Sequence, residues 1–344
     1  RPHKQRGHQQ HARQEHNPQG ESPGETIFPG VELETQEHGP CEGADVLVVW
    51  GHGLCGSMGG EDEERLWDFW RPPADDDDES EQFENSTHVV RYSARGHGAS
   101  RPCSSADEGT WEVLGEDMLA LARNKRWCQK HDSDRKQKLI LGGASMGSAS
   151  AVFALRRALL QAKDTESRAR TETATTNGDS HHQHNVAYPE IDGLILVIVP
   201  TFHEARAKRR TQIEKAIARG FHATAARRKR RPIFKNTDRE DEPATPLGVR
   251  EDSFQHVMTA SAKSDLPSLE EMARLFAREV PESKAPPRIL ILCWDCGDAT
   301  HPASSAESLR EIAPSANVEI ATTLQEVNSW GGKIRIFIDE IKRG

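Results

Sequence analysis

The sequence predicts an α/β protein: a mostly parallel central sheet with helices on both faces and a helical cap inserted late in the chain. Three observations predict it. Apolar strand candidates alternate with helical patterns over most of the 344 residues, the order that builds a parallel sheet. The pentapeptide Gly143-Ala-Ser-Met-Gly147 follows the apolar run Lys138-Leu-Ile-Leu-Gly142 and leads into the helical pattern Ala149-Ser-Ala-Val-Phe-Ala-Leu. Between His203 and about Glu282 the alternation stops and strongly charged helical sequence takes over.

The elements follow in order. Glu25 to His38 holds two short strand candidates, around Glu25-Thr-Ile-Phe and Val31-Glu-Leu-Glu-Thr. Val46-Leu-Val-Val-Trp50 is a continuous apolar run, as a strand covered on both faces requires. His88–Tyr92, Lys138–Leu141, Leu194–Val199, Arg288–Cys293 and Asn317–Ala321 complete the strands. Helical patterns lie between them at Glu63–Trp70, Trp111–His131, Ser148–Lys163, Ala303–Ile312 and Leu324–Ile341. In this order residues 25–202 and 285–344 form one α/β core, and 203–284 form the cap, which would hang over the carboxyl ends of the strands.

Composition bounds the rest. Only 35% of residues are apolar, and the deficit is local. Residues 1–24, rich in His, Gln, Arg and Gly, read as a disordered tail, solvated rather than metal-binding. Polar insertions are expected near 74–84 and 163–188, with a third around Arg227-Arg-Lys-Arg-Arg231 inside the cap. The remainder is enough for one core of domain size. A net charge of −9 argues against nucleic acid as a partner, and the basic cluster reads as a solvated face. No apolar run reaches the roughly 18 residues of a membrane span. Six cysteines, at 41, 55, 103, 128, 293 and 296, lack the spacing of a disulfide framework, so a reduced, cytoplasmic setting is expected. Cys293-x-x-Cys296 has no second pair and reads as buried thiols, so no metal or other cofactor is expected.

Chemistry concentrates at the strand ends. A G-x-S-x-G between a strand and a helix is a nucleophile elbow: its glycines permit a turn too tight for side chains, and the turn lifts the Ser145 hydroxyl clear of the sheet. Ser145 then lies at a helix N-terminus, where backbone N–H groups favour developing negative charge. After the first long strand comes Trp50-Gly-His-Gly-Leu-Cys-Gly-Ser57. There the backbone N–H of Leu54 is placed to pair with that of Met146 around an oxyanion. His52 reads as a loop-bracing residue, and with Gly53 and His203 it is a candidate to line the substrate's place. Arg95-Gly-His-Gly98 is a second glycine-rich turn, with His97 as a brace. Trp294-Asp-Cys-Gly-Asp298-Ala-Thr-His-Pro302 supplies an acid at a strand end. Asp298 fits that role better than Asp295, because Pro302 opens a helix four residues later.

With these pieces in this order, the chain resembles the α/β-hydrolase-fold family, including its esterase, lactonase and haloperoxidase-like members. The resemblance covers about 25–344 apart from the insertions. It implies Ser145 as nucleophile, Asp298 as acid, and Leu54 and Met146 as oxyanion-hole donors. It also implies a base histidine after the last strand, where this chain reads Ala321-Thr-Thr-Leu-Gln-Glu-Val-Asn-Ser-Trp330; no histidine follows His301. A serine hydroxyl is a weak nucleophile without an adjacent base. His301 and His203 are the histidines at strand ends able to replace it, and His301 is preferred because its loop already carries the acid. The expected function is hydrolysis of a small ester, thioester or lactone. The alternative is a pseudoenzyme of the same fold that binds a ligand or a partner.

Overall fold

The computed structural model describes residues 25–28, 31–71, 83, 85–127, 136–174, 189–202, 206–227, 246–277 and 285–344. The expected tail, most of the insertion near 74–84, the later part of 163–188, His203, Cys128 and the basic cluster beyond Arg227 lie outside these residues.

A seven-stranded sheet runs through the centre in the order β3-β5-β4-β6-β7-β8-β9. Its strands are β3 (Thr35–His38), β4 (Val46–Gly51), β5 (Thr87–Tyr92), β6 (Lys138–Ala144), β7 (Gly193–Val197), β8 (Arg288–Trp294) and β9 (Asn317–Ala321). Only β3, at one edge, is antiparallel to its neighbour; the other pairs are parallel. A separate hairpin pairs β1 (Glu25–Phe28) with β2 (Val31–Leu33). The strand order reverses at β4, which has β5 on one side and β6 on the other. At such a reversal the loops leaving the two strands diverge and open a crevice.

Alternation along the strands sorts the core into two layers. Leu47, Val49, Leu139, Leu141, Leu194 and Leu196 point to one face. There they meet α2 (Trp111–Trp127) and α3 (Met146–Ala174) through Leu114, Met118, Val152 and Leu155. Val46, Val48, Ile140, Ile195 and Val197 point to the other face. They are covered by α10 (Trp330–Arg343) through Trp330, Ile334, Phe337 and Ile338, and by Trp67, Phe69 and Trp70. With both faces covered, β4 and β5 are buried at every position, as the unbroken apolar sequence of β4 requires.

Three local differences from the sequence expectation have physical causes. The helix expected at Glu63–Trp70 forms earlier, as α1 (Met58–Glu64), because the Ser57 side chain caps the Gly60 N–H and Arg65 ends the helix in a left-handed conformation. The aromatics beyond it are then free to fill the core as irregular chain. The helix α3 continues past Lys163 to Ala174, a stretch rich in Ala, Arg and Glu, all strong helix formers. The C-terminal helical pattern splits at Ser329 into α9 (Leu324–Asn328), opened by a capping box of Thr323 and Glu326, and α10; at the break the Ser329 hydroxyl donates to the Glu326 carbonyl at 2.6 Å, a local bond that competes with the helical ladder.

Between β7 and β8 the described chain is helical: α4 (Ala207–Arg219), α5 (Phe221–Ala225), α6 (Phe254–Lys263) and α7 (Leu269–Ala277). After β8 comes α8 (Ala303–Ile312). Ile213, Ala216, Phe254, Val257 and Met258 build a small core that packs α4 on α6. Backbone hydrogen bonds from Gly98 to Gly248 and from Arg250 to Gly96 tie this segment to the turn after β5. No helix among the described residues is long and apolar enough to cross a membrane.

The register between β4 and β6 sets Gly51 beside Gly143, and a Cβ added to Gly147 would be driven into the carbonyl of Gly51. Gly147→Ala is therefore expected to destabilise the protein by about 3 kcal/mol or more, since the clash is with backbone and no rotamer relieves it. Gly59 in α1 has open space around the same position, so Gly59→Ala should leave the urea midpoint unchanged or slightly raised. Equal midpoints for the two variants would contradict this packing.

Candidate active site

The elbow is held from three sides. Ser145 takes a left-handed conformation, φ 51°, uncommon for a residue with a side chain. Its N–H donates to the carbonyl of Val197 at 2.9 Å, and the Gly147 N–H donates to that of His52 at 3.0 Å. The Ser148 hydroxyl lies 2.6 Å from the Gly143 carbonyl and 2.8 Å from that of Val197. Strain of this kind costs on the order of 1–3 kcal/mol and persists only where the surroundings over-determine it.

The loop after β8 meets this elbow. Ser145 Oγ lies 2.7 Å from His301 Nε2, and His301 Nδ1 lies 2.7 Å from Asp298 Oδ2. Asp298 organises its own loop: its other oxygen accepts from the Thr300 N–H at 2.8 Å, and its carbonyl accepts from the His301 N–H at 3.2 Å. The compact turn, an aspartate side chain bonded to the backbone two residues on, brings an acid and an imidazole three residues apart into contact. Trp294 packs edge-on against the His301 ring and stacks on Trp330, so the imidazole has a firm wall. Burial alone would raise the Asp298 carboxyl, but the hydrogen bond and charge of His301 and the bonds of Thr300 outweigh it and hold the group well below the usual carboxylate range. An ionised Asp298 accepts the Nδ1 proton, which leaves Nε2 as the acceptor facing the Ser145 hydroxyl.

Gly53 and Leu54 also lie beside Ser145. A Cβ on Gly53 would sit 3.7 Å from that of Ser145, and Leu54 and Met146 line the space around the hydroxyl. His52 behaves differently from a group that greets a ligand. It is 1% exposed, its Nε2 accepts from the Ala94 N–H and its Nδ1 bonds the Gly53 carbonyl. Burial pushes it down to about 4. His97, packed edge-on against His52, is pushed by burial to about 3. Both are neutral braces near neutral pH. His203 lies outside the described residues. After β9, where the resemblance implies a histidine, the capping box of α9 stands.

No family model matches the sequence, and no curated protein matches it in sequence. Solved structures match in fold. One, from work on carboxylesterases of the thaumarchaeon Nitrososphaera gargenis, is 15% identical, with a TM-score of 0.56 over 92% of this chain and 98% of that one. MenH from S. aureus is 14% identical, with a TM-score of 0.56 over 90% and 98%. The enol-lactonase of Burkholderia xenovorans is 16% identical, with a TM-score of 0.54 over 92% and 98%. The chain has the α/β-hydrolase fold. At these identities the likeness speaks for the fold alone, and within that fold this chain carries its acid and its imidazole on one loop.

Three polar residues near Ser145 were not singled out by the sequence. Glu61, in the first turn of α1, lines a cavity of about 160 Å3 together with Ser145, His301, Trp67 and Arg209. Arg206 and Arg209, at the start of α4, line a smaller recess that also reaches Ser145. Glu61 reads in sequence as part of the acidic run Glu61-Asp-Glu-Glu64, and nothing in that run marks the buried member. For the arginines a signal does exist: Arg206, Arg209, Ile213 and Ala216 share one helical face, and Ile213 and Ala216 are buried.

Burial raises Glu61 from 4.5 to about 7, against the opposing pull of Arg91. Between those values the folded protein holds a proton that the unfolded chain has released, so stability falls as pH rises through that window. Glu61→Gln abolishes the titration. Its stability relative to the unsubstituted protein should therefore improve from pH 5 to pH 8, by on the order of 3 kcal/mol. Parallel pH profiles of the two melting temperatures would refute the buried-acid assignment.

Proposed function

We propose that the protein is a serine hydrolase that cleaves a small carboxylic ester, thioester or lactone through an acyl-enzyme on Ser145. The observation that carries this reading is the continuous contact from Ser145 Oγ through the His301 ring to Asp298. His301 takes the hydroxyl proton as the oxygen attacks the substrate carbonyl, and Asp298 keeps the ring oriented and stabilises the imidazolium. The N–H groups of Leu54 and Met146 receive the oxyanion of the tetrahedral intermediate. When that intermediate collapses, the bond to the leaving oxygen or sulfur breaks and His301 returns its proton to the leaving group. Water then attacks the acyl-enzyme with His301 again as base, and the carboxylic acid departs as Ser145 regains its proton.

The inserted segment, residues 203–284, acts as the cap, and Gly53 lies against the substrate. That the solved structures of similar shape include carboxylesterases and an enol-lactonase supports ester chemistry for this one. The alternative reading, a pseudoenzyme that binds a ligand without turnover, drew its support from the histidine missing after β9. His301 within hydrogen-bond reach of Ser145 weighs against it.

A fluorophosphonate probe read by intact mass should label the unsubstituted protein once and leave Ser145→Ala unlabelled. With p-nitrophenyl acetate, His301→Ala should lower kcat/KM by about two to four orders of magnitude, the scale of general-base loss. Labelling of His301→Ala at the original rate, or turnover by Ser145→Ala, would sink the mechanism.

A further inference from the structure

Two spaces meet at Ser145, and their linings differ. The larger cavity has Glu61 and Glu64 in its wall, with Trp67 and Ile198 beside them. The smaller recess has Arg206 and Arg209, the hydroxyls of Thr201, Ser261 and Thr300, and no carboxylate among its lining residues.

Arg206 is fixed. It is 2% exposed, its guanidinium lies 4.3 Å from the centre of the Trp111 ring, and its Nη2 donates to the Ser261 carbonyl at 2.9 Å. Its Nε is buried with no acceptor. Arg209 borders both spaces and makes no hydrogen bond or ion pair with a described residue. The adjacent Arg210, by contrast, pairs with Asp265 at 2.9 Å. The charge of Asp298 reaches Arg209, but both Asp298 oxygens are committed to His301 and Thr300. Burial pulls both arginines down, Arg206 to about 10, and leaves them cationic near neutral pH. Desolvated cations without a bonded counter-charge are costly, and two planar forks beside hydroxyl groups suit the two oxygens of a carboxylate.

We propose that this recess is a carboxylate-binding subsite, so that the substrate of the hydrolase is an ester, thioester or lactone carrying a free carboxylate close to its scissile carbonyl. As a statement about substrate, the inference rests on the hydrolase reading; as a statement about binding, it stands apart from turnover. The carboxylate anchors between Arg206 and Arg209. The uncharged remainder extends into the larger cavity, past Trp67 and Ile198. Arg206 and Arg209 would thereby select the substrate and orient its carbonyl toward Ser145 without taking part in bond making.

Binding is read without turnover in Ser145→Ala, by calorimetry with monomethyl glutarate and its uncharged counterpart dimethyl glutarate. The monoanion is expected to bind at least tenfold more tightly, and the difference should shrink to within twofold when Arg209→Met is added. Equal binding of the two esters, or binding of neither, overturns the proposal, as does a preference that survives Arg209→Met. If the added substitution unfolds the chain, the comparison of the two esters on Ser145→Ala alone decides. Turnover of p-nitrophenyl acetate by the unsubstituted protein is measured separately. Selective binding of the anion with no turnover would uphold the subsite and sink the hydrolase reading, and turnover without selectivity would do the reverse.

Discussion

The site depends on a close approach of backbone to backbone at Gly51, Gly143 and Gly147. Register sets Gly51 against Gly143, and the first turn of α3 folds back so far that Gly147 lies on Gly51 as well. Side chains at either elbow glycine would push β6 away from β4 or force the helix to start later. With hydrogen atoms there instead, the strand turns into the helix within one residue, and that residue is Ser145. Its left-handed backbone follows from this contact. So does its position above the carboxyl edge of the sheet, at the reversal of strand order where loops from β4, β6 and β8 converge.

Around that fixed point the histidines divide by environment. His52 and His97 are sealed and held neutral by burial; both ring nitrogens of His52 and Nδ1 of His97 bond backbone groups. They brace the turns after β4 and β5, as does the buried pair of Arg95 with Asp117. Among the described residues, His301 is the histidine that meets both a carboxylate and a hydroxyl. A turn of four residues, closed by Asp298 on the Thr300 N–H, delivers acid and imidazole together. Their mutual geometry is therefore local to one loop, and only its distance to Ser145 depends on the packing of β8 against β7 and of Trp294 against Trp330.

Much of this was legible because the relevant signals are local. Short apolar-rich runs marked the parallel strands, continuous in Val46–Trp50 and interrupted in His88–Tyr92 and Asn317–Ala321, and the elbow declared itself by glycines at fixed offsets between a strand and a helix. The contact of Asp298 with His301, and of His301 with Ser145, involves residues that the sequence already places together on the loop after β8. What was not legible depends on contacts distant in sequence. Trp67, Phe69 and Trp70 look like one face of a helix, yet they serve as irregular core packing because α1 is capped earlier at Ser57. Glu61 is one of four acidic residues in succession. Only its burial, with the Trp50 indole N–H donating to it, distinguishes it from the other three.

The start of α4 shows how a charged sequence conceals a site. Five of the residues from Glu204 to Arg210 are charged, and such density ordinarily means a solvated helix face. The helical repeat divides them. Arg206 and Arg209 fall on the stripe that continues through Ile213 and Ala216 into the small core against α6, whereas Lys208 is exposed to water. That apolar anchor fixes the rotation of the helix, and the rotation aims two cations at the recess beside Ser145. Since a buried cation is unfavourable without an anion, the burial of Ile213 and Ala216 provides the free energy that keeps the pair there in advance of any ligand. The same packing that closes the helical segment onto itself thus sets the charge of the space its neighbour Ser145 opens into.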